Sequence, residues 1–144
     1  FDMGTVFYPG FTPTMRIGIS IRNFSEQFQY YENEFELPIT FRIGFAVDAF
    51  DFVPWNNANS SWLFSVDALH PRDYTERVHL GTEYWFMDTI ALRGGYKTNY
   101  DEEGLSAGFG VKYSIADIAF KVDYSYSDFG RFNGVNRVAI GAEF

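Results

Sequence analysis

Two histidines, His70 and His79, and an acidic run, Asp101-Glu102-Glu103, are the first residues in this sequence whose types invite a chemical reading. His70 with Asp67 or Asp73 would make a His-Asp pair of the kind hydrolases use, the carboxylate orienting the imidazole as a base. A proline-capped polar loop, His70-Pro71-Arg72-Asp73, is the plainer reading. The acidic run offers carboxylate oxygens that suit calcium, and a solvated loop tip accounts for it equally simply. Cysteine is absent, which removes disulfides, thiolate metal sites and thiol nucleophiles together. No catalytic residue, metal or cofactor is therefore expected. What remains is charge, and its placement is informative.

The elements that carry the charges alternate by twos, the period of a strand. The sequence predicts nine strands and no helix. Phe1, Met3, Thr5 and Phe7 oppose Asp2 and Gly4. After a Pro9-Gly10 turn, Met15, Ile17, Ile19 and Ile21 oppose Arg16, Gly18, Ser20 and Arg22. A polar loop over 25–36 separates these from Ile39, Phe41, Ile43, Phe45 and Val47, which oppose Arg42, Gly44, Ala46 and Asp48. Trp62, Phe64, Val66 and Ala68 then oppose Leu63, Ser65, Asp67 and Leu69. In the fifth strand Val78, Leu80, Thr82, Tyr84 and Phe86 oppose Arg77, His79, Gly81, Glu83 and Trp85, with Met87-Asp88 as a tight turn. Ile90, Leu92, Gly94 and Tyr96 oppose Ala91, Arg93, Gly95 and Lys97. Leu105, Ala107, Phe109, Val111 and Tyr113 oppose Ser106, Gly108, Gly110 and Lys112. Ile118, Phe120, Val122, Tyr124 and Tyr126 oppose Asp117, Ala119, Lys121, Asp123 and Ser125. In the last, Val138, Ile140, Ala142 and Phe144 oppose Arg137, Ala139, Gly141 and Glu143.

From the second strand onward, no Asp, Glu, Lys or Arg falls on the apolar side of this phasing. A soluble barrel or sandwich also sorts its residues, pointing apolar ones inward and charges to water, so alternation alone leaves both arrangements open. Two features favour a membrane barrel. The charged face is also rich in glycine and alanine (Gly18, Gly44, Ala46, Gly81, Gly95, Gly108, Gly110, Ala119, Ala139, Gly141), which a solvent face does not need and a crowded interior does. The apolar face carries too many rings to fit inside one small barrel, whereas an arginine there would cost about 2–4 kcal/mol at a bilayer midplane. The expected fold is thus an all-β, antiparallel transmembrane β-barrel. Its lumen-facing polar residues are Arg16, Arg22, Arg42, Asp48, Asp67, Arg77, His79, Glu83, Arg93, Lys97, Lys112, Asp117, Lys121, Asp123, Arg137 and Glu143. Its lipid-facing residues include Ile17, Ile19, Phe41, Phe45, Leu80, Tyr84, Leu92, Phe109, Val111, Phe120, Val122 and Ile140. Leu63, Leu69 and Trp85 on the charged side, and Thr82 and Gly94 on the other, depart from the pattern.

Composition agrees. The chain has 144 residues, suited to one domain; 21% are aromatic, with 17 Phe and 10 Tyr, which favours strands. No apolar run is long enough for a membrane helix, and a net charge of −8 makes nucleic acid an unsuitable partner. With Phe144 at a periplasmic end, the 25–36, 70–75, 98–104 and 127–134 connections fall outside and the short turns inside, the usual asymmetry. The loop over 51–60 is the exception. Bacterial barrels normally have even strand counts, so an odd number of strands is expected before Phe1.

Several stretches resemble one family. They are Leu80-Gly81-Thr82-Glu83-Tyr84-Trp85-Phe86, Ala91-Leu92-Arg93-Gly94-Gly95-Tyr96-Lys97, Gly104-Leu105-Ser106-Ala107-Gly108-Phe109-Gly110 and Val122-Asp123-Tyr124-Ser125-Tyr126-Ser127-Asp128-Phe129-Gly130. Asp2-Met3-Gly4-Thr5 and Pro38-Ile39-Thr40-Phe41-Arg42-Ile43-Gly44 add to them. Together they are similar to the C-terminal part of the PorV/PorQ outer-membrane proteins of Bacteroidota and relatives. The closing Val138, Ile140, Ala142 and Phe144 also resemble the signal by which the barrel-assembly machinery recognises its clients. The resemblance implies a barrel of about fourteen strands similar to the fatty-acid transporter fold. It also implies a non-enzymatic role in type IX secretion, binding secreted cargo or secretion components at the cell surface, with membrane lipid as the surrounding partner. The family lacks a short catalytic motif, so no role passes to a single residue. A FadL-like transporter or porin, a structural surface protein and a soluble barrel are the other readings.

Overall fold

A computed structural model describes residues 1–24, 28–30, 33–35, 38–53, 59–72, 74–102, 104–115 and 118–144. The strands run in chain order as β1 (Met3–Phe7), β2 (Arg16–Arg22), β3 (Phe28–Tyr30), β4 (Asn33–Phe35), β5 (Thr40–Asp48) and β6 (Ser61–Pro71). They continue as β7 (Arg77–Phe86), β8 (Ile90–Lys97), β9 (Leu105–Ile115), β10 (Ile118–Ser127) and β11 (Val135–Glu143). Nine of them form one antiparallel sheet in the order β1-β2-β5-β6-β7-β8-β9-β10-β11. The sheet is open, with β1 and β11 each paired on one side only.

The alternation predicted these strands because a sheet turns a period of two into two faces, and the register then lines up like with like. One apolar row runs Ile17, Phe45, Val66, Leu80, Tyr96, Leu105, each directly opposite the next. Another runs Trp62, Tyr84, Leu92, Phe109, Tyr124, Val138. The charged face has its own rows, among them Gly18, Gly44, Asp67, His79, Lys97. By this register the Asp, Glu, Lys and Arg residues on the described strands of the main sheet share one side of it.

Two features differ from expectation. The stretch read as a polar loop over 25–36 contains the β3–β4 hairpin, in which Phe28 pairs with Phe35 and Tyr30 with Asn33. Its aromatic residues favour extended backbone more than its polar ones suggest. Two single turns of 3-10 helix also occur, Ala49–Asp51 and Gly130–Phe132. The expected tight turn is present: Met87 and Asp88 both have positive φ, 52° and 53°, and Thr89 N–H donates to the Phe86 carbonyl at 3.1 Å. Two successive left-handed residues give the primed turn whose twist matches a hairpin.

The faces differ in exposure, and the sense is unusual. Among the described residues the only buried apolar ones are Met15, Ala46 and Ala91, and no large side chain is fully buried. Rings and branched chains of the apolar face stand open, Phe41 at 38%, Leu92 at 56% and Tyr113 at 62%. The charged face is the better covered, down to Asp48 at 7%.

Asp48, expected among the lumen-facing residues, acts here as a local tie. Its carboxylate accepts from Phe50 N–H at 2.8 Å, capping the first 3-10 turn, and from Trp62 N–H at 3.1 Å at the start of β6. Its own N–H donates to Thr14 Oγ1 at 2.8 Å, and Thr14 donates to Asp51 Oδ2 at 2.6 Å. The Asp48 carboxylate thus ties the two ends of the β5–β6 connection, while its backbone N–H and the Asp51 carboxylate hold Thr14 of the β1–β2 connection against it. Asp48→Ala is expected to lower stability by about 1–2 kcal/mol through lost caps. Equilibrium denaturation measures it; a change below about 0.3 kcal/mol would mean that water replaces the carboxylate.

Candidate functional site: the charged face of the sheet

Arg93 stands at the centre of the charged face. Its guanidinium pairs with Glu83 directly across on β7, through Nε and Oε2, and with Asp123 on β10 through Nη1 and Oδ1 at 2.6 Å. β8 and β10 are not neighbours. Strands two apart are separated by about 10 Å, and the side chains meet only because β9 offers Gly110 between them. A Cβ at Gly110 would collide with Asp123 Oδ1 and lie 3.0 Å from Arg93 Nη1. Lys121 adds to the cluster, its Nζ 3.5 Å from Asp123 Oδ2.

Trp85, a departure from the pattern in the sequence, belongs to the same network. Its indole N–H donates to Glu83 Oε1 at 2.9 Å, and its ring lies 5.6 Å from the Arg93 guanidinium and 5.8 Å from Lys121 Nζ. An aromatic ring among cations is favourable through its negative face, so a large ring is at home among these charges. Thr82, weak on the apolar face, likewise finds a partner there by accepting from Trp62 Nε1 at 3.0 Å.

A second pair repeats the design. Arg42 grips Asp67 through both Nε, at 3.2 Å, and Nη2, at 2.8 Å, the two-point geometry special to arginine. Gly44, opposite Asp67, leaves the space: a Cβ there would strike Asp67 Oδ1. Lys112 reaches Glu143 at 3.8 Å. In the Arg42 and Arg93 clusters these carboxylates and cations answer one another with side chains only 27–39% exposed, as partly withdrawn charges require.

The remaining charged positions divide. Arg16, Arg22 and Arg137 are exposed, on strands toward the sides of the sheet. Arg77, His79 and Lys97 gather around Tyr100, a residue the alternation had no means of selecting because it lies in a loop. His79 Nε2 is 2.8 Å from the Tyr100 hydroxyl, and the Arg77 guanidinium lies 4.3 Å from its ring. Asp117 lies outside the described residues, as do Asp73 and Glu103.

His70 and Asp67 do not form the hydrolase-like pair, and the alternative partner, Asp73, lies outside the described residues. Asp67 is on the charged face in the grip of Arg42, while His70, opposite Phe41, has Nδ1 3.2 Å from Glu76 Oε1 with both side chains exposed. Consecutive faces point apart on a strand, so residues three apart on β6 cannot meet. In the acidic run, Glu102 accepts from Arg131 N–H at 3.0 Å, tying two loops together. Among the described residues no three His, Asp or Glu converge on a metal position. No protein-family model, curated protein or solved structure matches this chain.

Proposed function

We propose that this chain forms part of a transmembrane β-barrel of the bacterial outer membrane, of the PorV/PorQ kind, which binds or shuttles secreted proteins at the cell surface without catalysing a reaction. The observation that carries the membrane reading is the inverted exposure of the two faces. The uncharged, ring-rich face is the open one, and the charges pair with one another on the better-covered face. Water would favour the reverse. Strand length supports it too: β5 to β11 span 9, 11, 10, 8, 11, 10 and 9 residues, close to the roughly 9–11 that a tilted strand needs to cross hydrocarbon. Unpaired backbone groups are costly in lipid, so the reading requires β1 and β11 each to gain a strand partner there. The secretion role rests on the sequence resemblance and on the longer connections at one end of the sheet.

Transport is the second reading, favoured by a concavity of about 350 Å³ on the charged face beside Gly4, Gly18, Ser20, Arg42, Gly44 and Asp67. The test begins with fractionation: the protein should sediment with membranes, resist carbonate extraction and require detergent. A monodisperse protein in plain buffer would end the membrane reading. Pull-down from native membranes should then recover a secreted protein or secretion component; recovery of the barrel alone, with conductance in a planar bilayer, would favour transport.

A further inference from the structure

We propose that Arg77, at the end of the charged face where the β6–β7 and β8–β9 connections meet, anchors a binding site for an oxyanion, the carboxylate or phosphate group of a hydrophilic solute. The proposal stands on that corner alone, whether or not the opposite face meets lipid.

The first ground is a cost without an evident return. Arg77 Nε is buried and has no hydrogen-bond partner, the one such side-chain atom among the described residues. A cation drawn partly out of water without a carboxylate partner is costly, and the terminal Nη groups, which are neither enclosed nor paired, are the ones a solute's oxygens can reach. No described carboxylate pairs with Arg77, and Asp67, the nearest in the rows of the sheet, is gripped by Arg42.

The second ground is how the guanidinium is held. It lies 4.3 Å from the Tyr100 ring centre and 5.3 Å from that of Tyr74. Rings engage the face of a guanidinium and leave the N–H groups along its edge to donate in plane, the fork that matches two oxygens of a carboxylate or phosphate. Lys97 Nζ lies 5.5 Å from the same Tyr100 ring, bringing a second cation from the adjacent strand.

The third ground is rigidity. The segment carrying Tyr100 is fixed to β7 by Thr98 N–H to the Val78 carbonyl at 2.8 Å, by Val78 N–H to Thr98 Oγ1 at 3.1 Å and by Asn99 Nδ2 to the Glu76 carbonyl at 2.5 Å. A fixed ring and a fixed cation leave little to be ordered on binding, which raises affinity for a small ligand.

The test is calorimetric titration of the full chain at low ionic strength, in detergent if it needs detergent, with acetate, inorganic phosphate and chloride. Saturable binding of acetate or phosphate is expected with a Kd on the order of 1 mM, suited to one two-point charged pair. The tighter of the two identifies the group. Arg77→Gln should weaken it at least about tenfold and Arg77→Lys several-fold, because a lysine has no fork. Tyr100→Leu, which keeps the cation but removes its support, should also weaken it, and it carries the test if Arg77→Gln does not fold. Arg137→Gln, which removes an exposed arginine on the distant strand β11, should leave it unchanged. Absence of saturable binding, equal response to chloride, or undiminished binding in folded Arg77→Gln would overturn the proposal.

Discussion

Val66→Arg should lower the unfolding free energy of the protein in phospholipid by about 2–4 kcal/mol, the cost of a guanidinium near the bilayer midplane. Val66 is the sixth residue of the eleven in β6, opposite Phe45 on one side and Leu80 on the other, and 42% exposed. In water a half-open position of this kind tolerates arginine, and the change would stay within about 0.5 kcal/mol. The two settings therefore predict different numbers for one substitution. Denaturant titration of the protein reconstituted in vesicles gives the answer, with Leu80→Arg as an independent copy. A loss below about 0.5 kcal/mol in both would put the ring-rich face in water and remove the ground for the membrane reading.

Arg93→Met should cost about 2–3 kcal/mol. Removing one partner from a fully buried ion pair costs about 3–5 kcal/mol, because the charge left behind has lost its compensation. Here the side chains of Arg93, Glu83 and Asp123 are 28%, 31% and 27% exposed, so solvent reduces the penalty. The substitution strands two carboxylates at once, and Lys121 pairs directly with Asp123 alone. The decisive comparison is the triple variant Arg93→Met, Glu83→Gln, Asp123→Asn, which should recover most of the loss. Methionine keeps the bulk of the arginine stem, so packing alone does not produce the effect. Equal instability of the single and triple variants would mean that the stem, and not the charge, holds this part of the sheet.

How much of this was readable from residue order depends on the distance over which each feature is set. The two faces were legible because alternation is local to each strand: Phe41, Ile43 and Phe45 reveal their side without reference to any partner. The pairing of Arg42 with Asp67 or Arg93 with Asp123 was not legible, because it depends on how neighbouring strands align. Once the register places Gly110 between Ala91 and Asp123, the bridge follows from chain geometry. Trp85 looked misplaced for the same reason, since its cations come from β8 and β10. Asp48 was assigned by its phase, while its neighbourhood in sequence, just before a 3-10 turn, governs the hydrogen bonds it makes. An aspartate ahead of such a turn is a capping signal that could have been read. Tyr100 carried no signal, since a loop residue has no period.

The unequal bulk of the two faces favours one direction of curl over the other. Where β8, β9 and β10 carry Leu92, Phe109 and Tyr124 side by side on one surface, the other presents Gly108 and Gly110 beneath a single bridging arginine. Large groups need a longer arc than hydrogen atoms do, and the attraction between Arg93 and Asp123 draws the outer two strands together over the middle one. Both influences favour bending the ribbon the same way, with the rings on the outer curve.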